Sequence, residues 1–305
     1  MAEVAIEKRF EFEVRDLEYR RTDGTSLLAR LYRPLGSGPF PSLIDVHGGA
    51  WASGDRLNNA PLDEALAKSG IVVLAIDFRM PPQHRYPASI ADVNFATRWL
   101  KTHAAEFGSR RDLVGGLGTS SGAHQLLLSV LKPKDPRYAA LPLGEAPGED
   151  AILPYLVLCW PISDPLARYR MVLEKGNTRL VESHDAYWNS EAEMAKGNPQ
   201  LVLERGEAGA LPPAILVQGL ADDNVTLDIG RPLRGRLWRP RRGAPVAQIR
   251  RPAAHLCDPR PGLRSLPARL RTGARFRAQT RHGVRRATPK VFQGSERHGG
   301  VTVYG

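Results

Sequence analysis

A single serine stands in a sequence pattern that is typical of enzyme nucleophiles. Residues 118–122 read Gly-Thr-Ser-Ser-Gly and match GxSxG, with Ser120 at the centre. A strand-like run precedes the pattern and a helical pattern follows it from Ser121 to about Leu131. A serine on a sharp strand-to-helix turn exposes its hydroxyl, and the helix N-terminus faces the negative charge that develops in acyl transfer. The pattern alone also fits a glycine-rich turn, so Ser120 is assigned as a nucleophile only together with the accompanying motifs.

A second motif could supply the hydrogen-bond donors that acyl transfer needs. Residues 47–51 read His-Gly-Gly-Ala-Trp and follow the strand-like run Ser42 to Val46. Backbone N–H groups aimed at the oxyanion stabilise a tetrahedral intermediate, and small residues let the chain approach the substrate closely. The assigned donors are Gly49, Ala50 and Ser121, with Gly48 as an additional candidate. His47 is expected to brace this loop, and a simple glycine turn is the alternative.

An acidic loop could orient a catalytic histidine. Residues 219–225 read Gly-Leu-Ala-Asp-Asp-Asn-Val and follow a strand-like run that ends at Gln218. A carboxylate at the end of a strand can fix the tautomer of a histidine and stabilise its imidazolium. Asp222 is the first choice and Asp223 the second, although aspartate pairs are common in surface loops. Serine followed by aspartate is the chain order of an α/β-hydrolase.

These motifs need a framework that brings the ends of several strands together. The predicted strands are Leu27 to Tyr32, Ser42 to Val46, Ile71 to Phe78, Leu113 to Gly118, Tyr155 to Trp160 and Ala214 to Gln218. The predicted helices are Pro61 to Ser69, Ser89 to Glu106 and Ser121 to Leu131. Buried strands separated by helices favour an α/β fold with a mostly parallel sheet covered on both faces. The segment at about 165–207 has no strand pattern and is predicted to be a helical, cap-like insertion.

Residues 25–228 resemble an α/β-hydrolase of the hormone-sensitive-lipase-like carboxylesterase group. The resemblance rests on the GxSxG pattern, on the stretch 77–100, on the acidic loop and on the HGGxW motif, which is also similar to kynurenine-formamidase-type enzymes. It implies the α/β-hydrolase fold and a Ser-His-Asp mechanism acting on small-molecule esters. It also implies that neither a metal nor an organic cofactor takes part.

The positive charge of the chain is confined to its C-terminal quarter. The 305 residues carry a net charge of +11, from 43 Lys and Arg against 32 Asp and Glu. Residues 229–305 hold 18 Arg and one Lys against two acidic residues, with prolines every few positions and no lasting apolar period. We therefore predict a core domain at 1–228 and a poorly ordered Arg/Pro-rich tail at 229–305. The last strand and helices of the core are expected to be missing or disordered.

The tail is predicted to be an out-of-frame reading of that missing segment. Residues 251–257 can be encoded by CGG CCA GCC GCA CAC CTT TGC. Read one base later, these codons give Gly-Gln-Pro-His-Thr-Phe, which is similar to the histidine loop of the carboxylesterase group. Residues 234–238 can hide Ala-Ala-Ala-Tyr-Gly in the same way. A genuine basic extension is the alternative.

The catalytic base must come from the tail if the resemblance holds. His255 lies where the carboxylesterase group has its histidine, and we take it as the base ahead of His282 and His298. In a misread tail its approach to Ser120 would be fortuitous, so the activity of the chain as written is predicted to be impaired. The histidines at positions 124 and 103 are predicted to be structural.

Composition sets the class of protein. The apolar fraction of 42% and charged fraction of 25% are ordinary for a globular domain. The apolar runs are far shorter than the roughly 18 residues of a membrane span, so no span is predicted. The N-terminus lacks the apolar stretch of a signal peptide, and Cys159 and Cys257 form no disulfide framework. We therefore expect a cytoplasmic location.

Two other functions remain open at this point. An aryl formamidase or another amide hydrolase would use the same triad as the ester hydrolase. A nucleic-acid-binding protein would use the arginines of the tail to contact phosphates. The tail offers few aromatic side chains to stack on bases, namely Trp238, Phe276, Phe292 and Tyr304. We therefore expect no specific nucleic acid partner.

Overall fold

The centre of the fold is a nine-stranded sheet in a computed structural model that describes residues 9–22, 24–209, 211–219, 221–226, 229, 248–249 and 301–304. Its strands are β1 (Phe12–Thr22), β2 (Thr25–Pro34), β3 (Ser42–Val46), β4 (Val72–Ile76), β5 (Val114–Thr119), β6 (Leu156–Cys159), β7 (Ala214–Gly219), β8 (Gln248–Ile249) and β9 (Val301–Tyr304). They lie in the order β1-β2-β4-β3-β5-β6-β7-β9-β8. The run from β4 to β7 is parallel throughout, as predicted, and the flanking pairs are antiparallel.

The central strands are apolar along their whole length because both faces of the sheet are covered. Every residue of β3, β4 and β5 is buried. The helices α2 (Ala88–His103) and α3 (Ser121–Leu131) pack together on one face, where Ile44 and Leu74 contribute to the main core. The helix α1 (Ala60–Lys68) covers the other face. This arrangement brings the ends of β3, β5 and β7 to one edge, where all three motifs lie.

Four short helices form the predicted insertion between β6 and β7. They are α4 (Pro165–Glu174), α5 (Thr178–Tyr187), α6 (Glu191–Lys196) and α7 (Pro199–Glu204). A polar side chain caps the N-terminus of each helix by accepting a backbone N–H, and these capping residues are Asp164, Asn177, Ser190 and Asn198. Proline also occupies the first turn of α4 and α7, where its missing N–H costs nothing. We call residues 165–204 the cap.

The structure differs from the sequence prediction at both ends of the sheet. Strand β1 was not predicted because charged residues interrupt its pattern. Its charged side chains are exposed or half-buried, and Arg30 of β2 pairs with Asp16 across the strands at 2.7 Å. At the other end, β9 was not predicted and pairs antiparallel with β7 instead of continuing the parallel run. This pairing satisfies backbone donors and acceptors of β7 that would otherwise lie at an open edge of the sheet.

No helix in the part of the chain that the structure describes combines the length and the hydropathy required to cross a membrane.

Candidate active site

Ser120 occupies a strained turn between β5 and α3. Its backbone has φ 53° and ψ −119°, a conformation that a residue with a Cβ rarely adopts. The N–H of Ser120 donates to the carbonyl of Cys159 at 2.9 Å, and its own carbonyl accepts from the N–H of His124 at 3.2 Å. Backbone strain of this kind persists where surrounding contacts hold it, most often at functional sites. The turn has the geometry of a nucleophile elbow.

The glycines on either side of Ser120 allow α3 to pack closely on the sheet. A Cβ added at Gly118 would lie 2.6 Å from the Cα of Ala123. A Cβ added at Gly122 would collide with the backbone carbonyl oxygens of Val46 and His47. Both glycines of GxSxG are therefore needed because other backbone segments lie too close to leave room for a side chain.

The loop after β3 lies directly against the elbow. A Cβ on Gly48 would lie 3.2 Å from the Cβ of Ser120, so this part of the loop contacts the serine. The N–H of Trp51 donates to Oγ of Ser121 at 3.1 Å. These contacts place the loop with Gly48, Gly49 and Ala50 beside the N-terminus of α3. We call residues 47–51 the oxyanion loop.

Trp51 anchors this loop in a buried aromatic cluster. Its ring stacks on Tyr187 of α5, with centroids 5.5 Å apart, and meets Trp188 and His184 edge-on. Its indole N–H donates to Nδ1 of His124 at 3.0 Å, and Nε2 of His124 lies 2.8 Å from the carbonyl oxygen of Gly197. Burial lowers the pKa of His124 to about 4. His124 is thus a buried neutral group, which agrees with its predicted structural role.

His47 is held at the start of the oxyanion loop. Its ring stacks on Phe78 with centroids 4.3 Å apart, and its Nδ1 lies 2.7 Å from the carbonyl oxygen of Gly48. Burial lowers the pKa of His47. These contacts fit the predicted bracing role of this residue.

The acidic loop follows β7 and is organised around Asp222. One carboxylate oxygen of Asp222 accepts the N–H groups of Asn224 and Val225 at 3.0 and 2.9 Å, and the other accepts from Nε2 of Gln218 at 3.3 Å. Asp223 is exposed, and its backbone carbonyl accepts from Nζ of Lys175 at 2.7 Å. Asp222, the first choice of the sequence analysis, is thus the aspartate whose carboxylate is fixed by hydrogen bonds.

A buried arginine, which the sequence analysis missed, joins the cap to the acidic loop. Arg168 of α4 is 1% exposed. Its Nη2 donates to Oδ1 of Asn224 at 2.6 Å, its Nε donates to the Asn224 carbonyl at 3.3 Å, and its Nη1 lies 3.4 Å from Nε2 of His184. Burial lowers the pKa of Arg168 to about 10, and the nearby Asp222 opposes this shift. The regular pattern of a short helix gives no sign that one of its arginines is buried.

A pocket of about 290 Å³ opens between the cap and the acidic loop. Its lining residues are Val172, Lys175, Asn177, Arg179, Leu180, Asp223 and Asn224. Its apolar lining residues, Val172 and Leu180, also pack against Ala50, so the pocket lies next to the oxyanion loop. Tyr187 and Trp188 are not among the lining residues of this pocket; both are buried, and their rings contact Trp51.

The predicted base, His255, lies outside the described residues, as do His282 and His298. Within the part of the chain that the structure describes, no hydrogen bond joins a histidine ring to the hydroxyl of Ser120. The structure therefore brings together the serine, the oxyanion loop and the acidic loop at one edge of the sheet. The histidine base of the predicted site, His255, stays a prediction.

Parts of this chain are similar in sequence to one protein-family model and to known esterases. The BD-FAE family model matches residues 30–140. Esterase LipC of Mycobacterium tuberculosis is 39% identical over 117 residues, which is 38% of this chain and 29% of that protein. Carboxylic ester hydrolase LipN of the same organism is 30% identical over 201 residues, or 63% of this chain and 51% of that protein. The chain thus spans about half or less of the length of these relatives.

Solved structures show the same fold. Esterase 2 of Thermogutta terrifontis aligns with a TM-score of 0.56 at 22% identity, covering 74% of this chain and 79% of that one. Carboxyl esterase 2 of the fungus Tuber melanosporum aligns with a TM-score of 0.59 at 21% identity, covering 75% and 73%. The predicted fold is confirmed.

Proposed function

We propose that this chain, which has the α/β-hydrolase fold and is similar in sequence to carboxylesterases, is a serine hydrolase of carboxylic esters with Ser120 as the nucleophile. The observation that carries the proposal is the strained backbone of Ser120, whose side chain lies directly beside Gly48 of the oxyanion loop. Such a turn presents the serine hydroxyl next to backbone donors at a helix N-terminus, which is the arrangement that acyl transfer requires.

The proposed reaction has two halves. Oγ of Ser120 attacks the ester carbonyl while a histidine takes its proton, and the negative oxygen accepts hydrogen bonds from backbone N–H groups. The assigned donors are Gly49, Ala50 and Ser121, with Gly48 as an additional candidate. Collapse of the intermediate releases the alcohol, to which the histidine returns the proton. Water then attacks the acyl-enzyme by the same route, releasing the acid and freeing Ser120.

Asp222 and His255 complete the proposed triad. Asp222 is supported by its place after β7 and by the hydrogen bonds that fix its carboxylate. His255 is supported only by its linear position in the chain. Since a misread tail would bring it to Ser120 only by chance, we propose that the chain as written has impaired activity.

A division of the chain near residue 229, with a frameshifted tail, is part of this proposal. It is supported by the sheet face at β6 and β7, where Ile215 is 43% exposed and lies beside the half-buried Val157 in the strand register. Parallel strands are usually covered on both faces, so this face fits a fold that lacks one of its covering segments.

Steady-state hydrolysis of a short-chain p-nitrophenyl ester tests both parts of the proposal. We expect low turnover for the chain as written, higher turnover for a chain whose reading frame is restored near codon 229, and loss of that turnover in Ser120→Ala. Full activity of the chain as written that disappears in His255→Ala would contradict the proposed impairment. Activity that survives Ser120→Ala would contradict the proposed mechanism.

A further inference from the structure

The oxyanion loop has an unusual run of backbone conformations. Gly49, Ala50 and Trp51 are consecutive, and their φ angles are 121°, 51° and 64°. Glycine tolerates positive φ, whereas alanine and tryptophan adopt it rarely because their Cβ atoms crowd the backbone. Neighbouring contacts must therefore hold the loop in this shape, which orients the N–H groups of Gly49 and Ala50.

Several of these contacts run through the side chain of Trp51. Its ring is 1% exposed and its indole N–H ends on Nδ1 of His124, which is itself fully buried. On the other side of the imidazole, Nε2 reaches the carbonyl of Gly197 directly after α6 of the cap. His124 therefore bridges the oxyanion loop and the cap from the first turn of the elbow helix.

These hydrogen bonds define the tautomer of His124. An indole N–H can only donate, so Nδ1 must be the acceptor and carries no proton. A backbone carbonyl can only accept, so Nε2 must carry the proton. Neither a second tautomer nor an imidazolium could make both bonds, since each would point an N–H of the ring at the N–H of Trp51 or a bare nitrogen at the carbonyl of Gly197.

The position of Gly197 is equally restricted. A Cβ added there would lie 2.6 Å from the Trp188 ring and 2.8 Å from the Tyr86 ring. The backbone at Gly197 therefore packs directly against two buried aromatic rings. The acceptor at the far end of the bridge belongs to a closely packed part of the cap.

We propose that His124, as the neutral Nε2–H tautomer, is a positioning residue that fixes the oxyanion loop to the cap through Trp51. The inference rests on the proposed function, because the loop matters only if it binds an oxyanion. A loop released from this bridge would keep its sequence but lose the aim of its N–H groups, and a small misplacement of oxyanion donors lowers kcat while leaving ground-state binding nearly intact.

Two isosteric variants separate the two bonds of the bridge. In His124→Asn, the amide oxygen stands near the position of Nδ1 and can accept from Trp51 without reaching Gly197. In His124→Gln, the amide nitrogen stands near Nε2 and can donate to Gly197 without offering an acceptor to Trp51. His103→Asn is a matched control, because this histidine lies on α2, away from the bridge, where its ring stacks on Trp99 and its nitrogens lie near the carbonyl of Trp99 and the exposed Glu145.

The first readout is the indole N–H of Trp51 in a ¹H–¹⁵N spectrum of the full chain, assigned by its loss in Trp51→Phe. We expect its exchange with solvent to be at least about tenfold faster in His124→Gln than in the unmodified chain, and nearly unchanged in His124→Asn and His103→Asn. The ¹⁵N shifts of His124 should show a protonated Nε2 and a bare Nδ1. Unchanged exchange in His124→Gln, or the opposite tautomer, would overturn the bridge.

The second readout is ester hydrolysis, with kcat and KM determined separately in the frame-restored chain. We expect His124→Gln to lower kcat about tenfold or more, less than the roughly 10²- to 10³-fold loss caused by removing an oxyanion donor outright. KM should stay within about twofold, and His124→Asn should recover most of the lost kcat. An unchanged kcat in His124→Gln with faster indole exchange would overturn the positioning role. If neither this chain nor the chain as written hydrolyses any ester, the proposed function fails, whereas the bridge is still decided by the spectrum.

Discussion

At the scale of single residues, close packing and the burial of acidic groups are features that the sequence motifs do not show. The GxSxG pattern identifies Ser120, but the structure shows that each flanking glycine faces backbone atoms that leave no space for a methyl group. The sequence likewise shows an aspartate in β3 and another in α1 without showing that both are buried. Two predictions follow from these residues.

Gly122→Ala is expected to lower the free energy of unfolding by about 2 kcal/mol or more. The new methyl group would collide with the carbonyl oxygens of Val46 and His47, which belong to the backbone and cannot rotate away, and overpacking of a buried site costs about 1–3 kcal/mol. Gly148→Ala is the control, since nothing lies within 4 Å of its added Cβ and the change should be within about 0.5 kcal/mol. Urea denaturation measures both. Equal stabilities of the two variants would contradict the close-packing argument.

The buried carboxyl of Asp63 is expected to make the protein less stable as pH rises. Burial raises the pKa of Asp63, and the neighbouring Asp45, which accepts from Asn59 at 3.0 Å, raises it further. Neither oxygen of Asp63 has a hydrogen-bond partner within the described residues. The folded state therefore keeps a proton that the unfolded chain releases above about pH 4, so stability is lost as pH rises from there, by up to about 1.4 kcal/mol per pH unit.

Asp63→Asn tests this sign. We expect the variant to be more stable than the unmodified protein at pH 8 and to show a flatter dependence of unfolding free energy on pH between 5 and 9. Glu64→Gln is the comparison on the same helix: this carboxylate is half-exposed, pairs with Lys68 at 3.6 Å and adds least to the raised pKa of Asp63, so its effect on the pH dependence should be much smaller. Parallel pH curves for Asp63→Asn and the unmodified protein would rule out a raised pKa at this position.

At the scale of elements, the sequence predicts well whatever depends on local pattern. The bounds of β3 and α3 agree with the prediction, because an apolar run and a helical period that begins at the elbow leave little choice. Strand β1 was not predicted because charged residues are interspersed among its apolar ones. It lies at the edge of the sheet, where pairing with β2 rather than burial decides the structure.

What the sequence could not show is how elements meet. Arg168 and Asn224 are 56 residues apart, and nothing in either local pattern indicates that a guanidinium of the cap is buried against the acidic loop. The bridge from Trp51 through His124 to Gly197 likewise joins three separate segments. Such contacts follow from the packing of the cap on the sheet edge, and they make the cap part of the site.

Arg168→Met is expected to loosen the acidic loop. The variant keeps most of the buried volume but leaves Oδ1 and the carbonyl of Asn224 without their donors, at a cost of about 1–3 kcal/mol of unfolding free energy. Amide exchange of Asn224 and Val225, whose N–H groups hold Asp222, should become faster. Arg170→Met on the same helix removes only an exposed pair with Glu191 and should cost no more than about 0.5 kcal/mol. Unchanged amide exchange in Arg168→Met would contradict the idea that Arg168 of the cap stabilises the loop around Asp222.

At the scale of the whole molecule, the two parts of the chain have opposite charge. Residues 1–228 carry a net charge of −6 and residues 229–305 carry +17. The described part up to β7 forms one core with the fold of the esterase structures, while the exposed Ile215 marks a sheet face that resembles an uncovered interior. An Arg-rich, Lys-poor tail is what a shifted reading of GC-rich codons would produce, so its charge need not indicate a nucleic acid partner.

The coding DNA provides a direct test of this division. We expect a single-base insertion or deletion near codon 229 to restore a frame that contains acidic residues, a helical pattern and a histidine loop. Absence of any such frame would contradict the frameshift and favour a genuine basic extension.

The most direct test of the account is the hydrolysis of a short-chain p-nitrophenyl ester by the frame-restored chain, measured with and without Ser120→Ala. We expect clear turnover that falls by at least about 10³-fold when the nucleophile is removed, because Ser120 forms the acyl-enzyme in the proposed mechanism. Turnover that survives Ser120→Ala, or no turnover in a correctly folded, frame-restored chain, would contradict it.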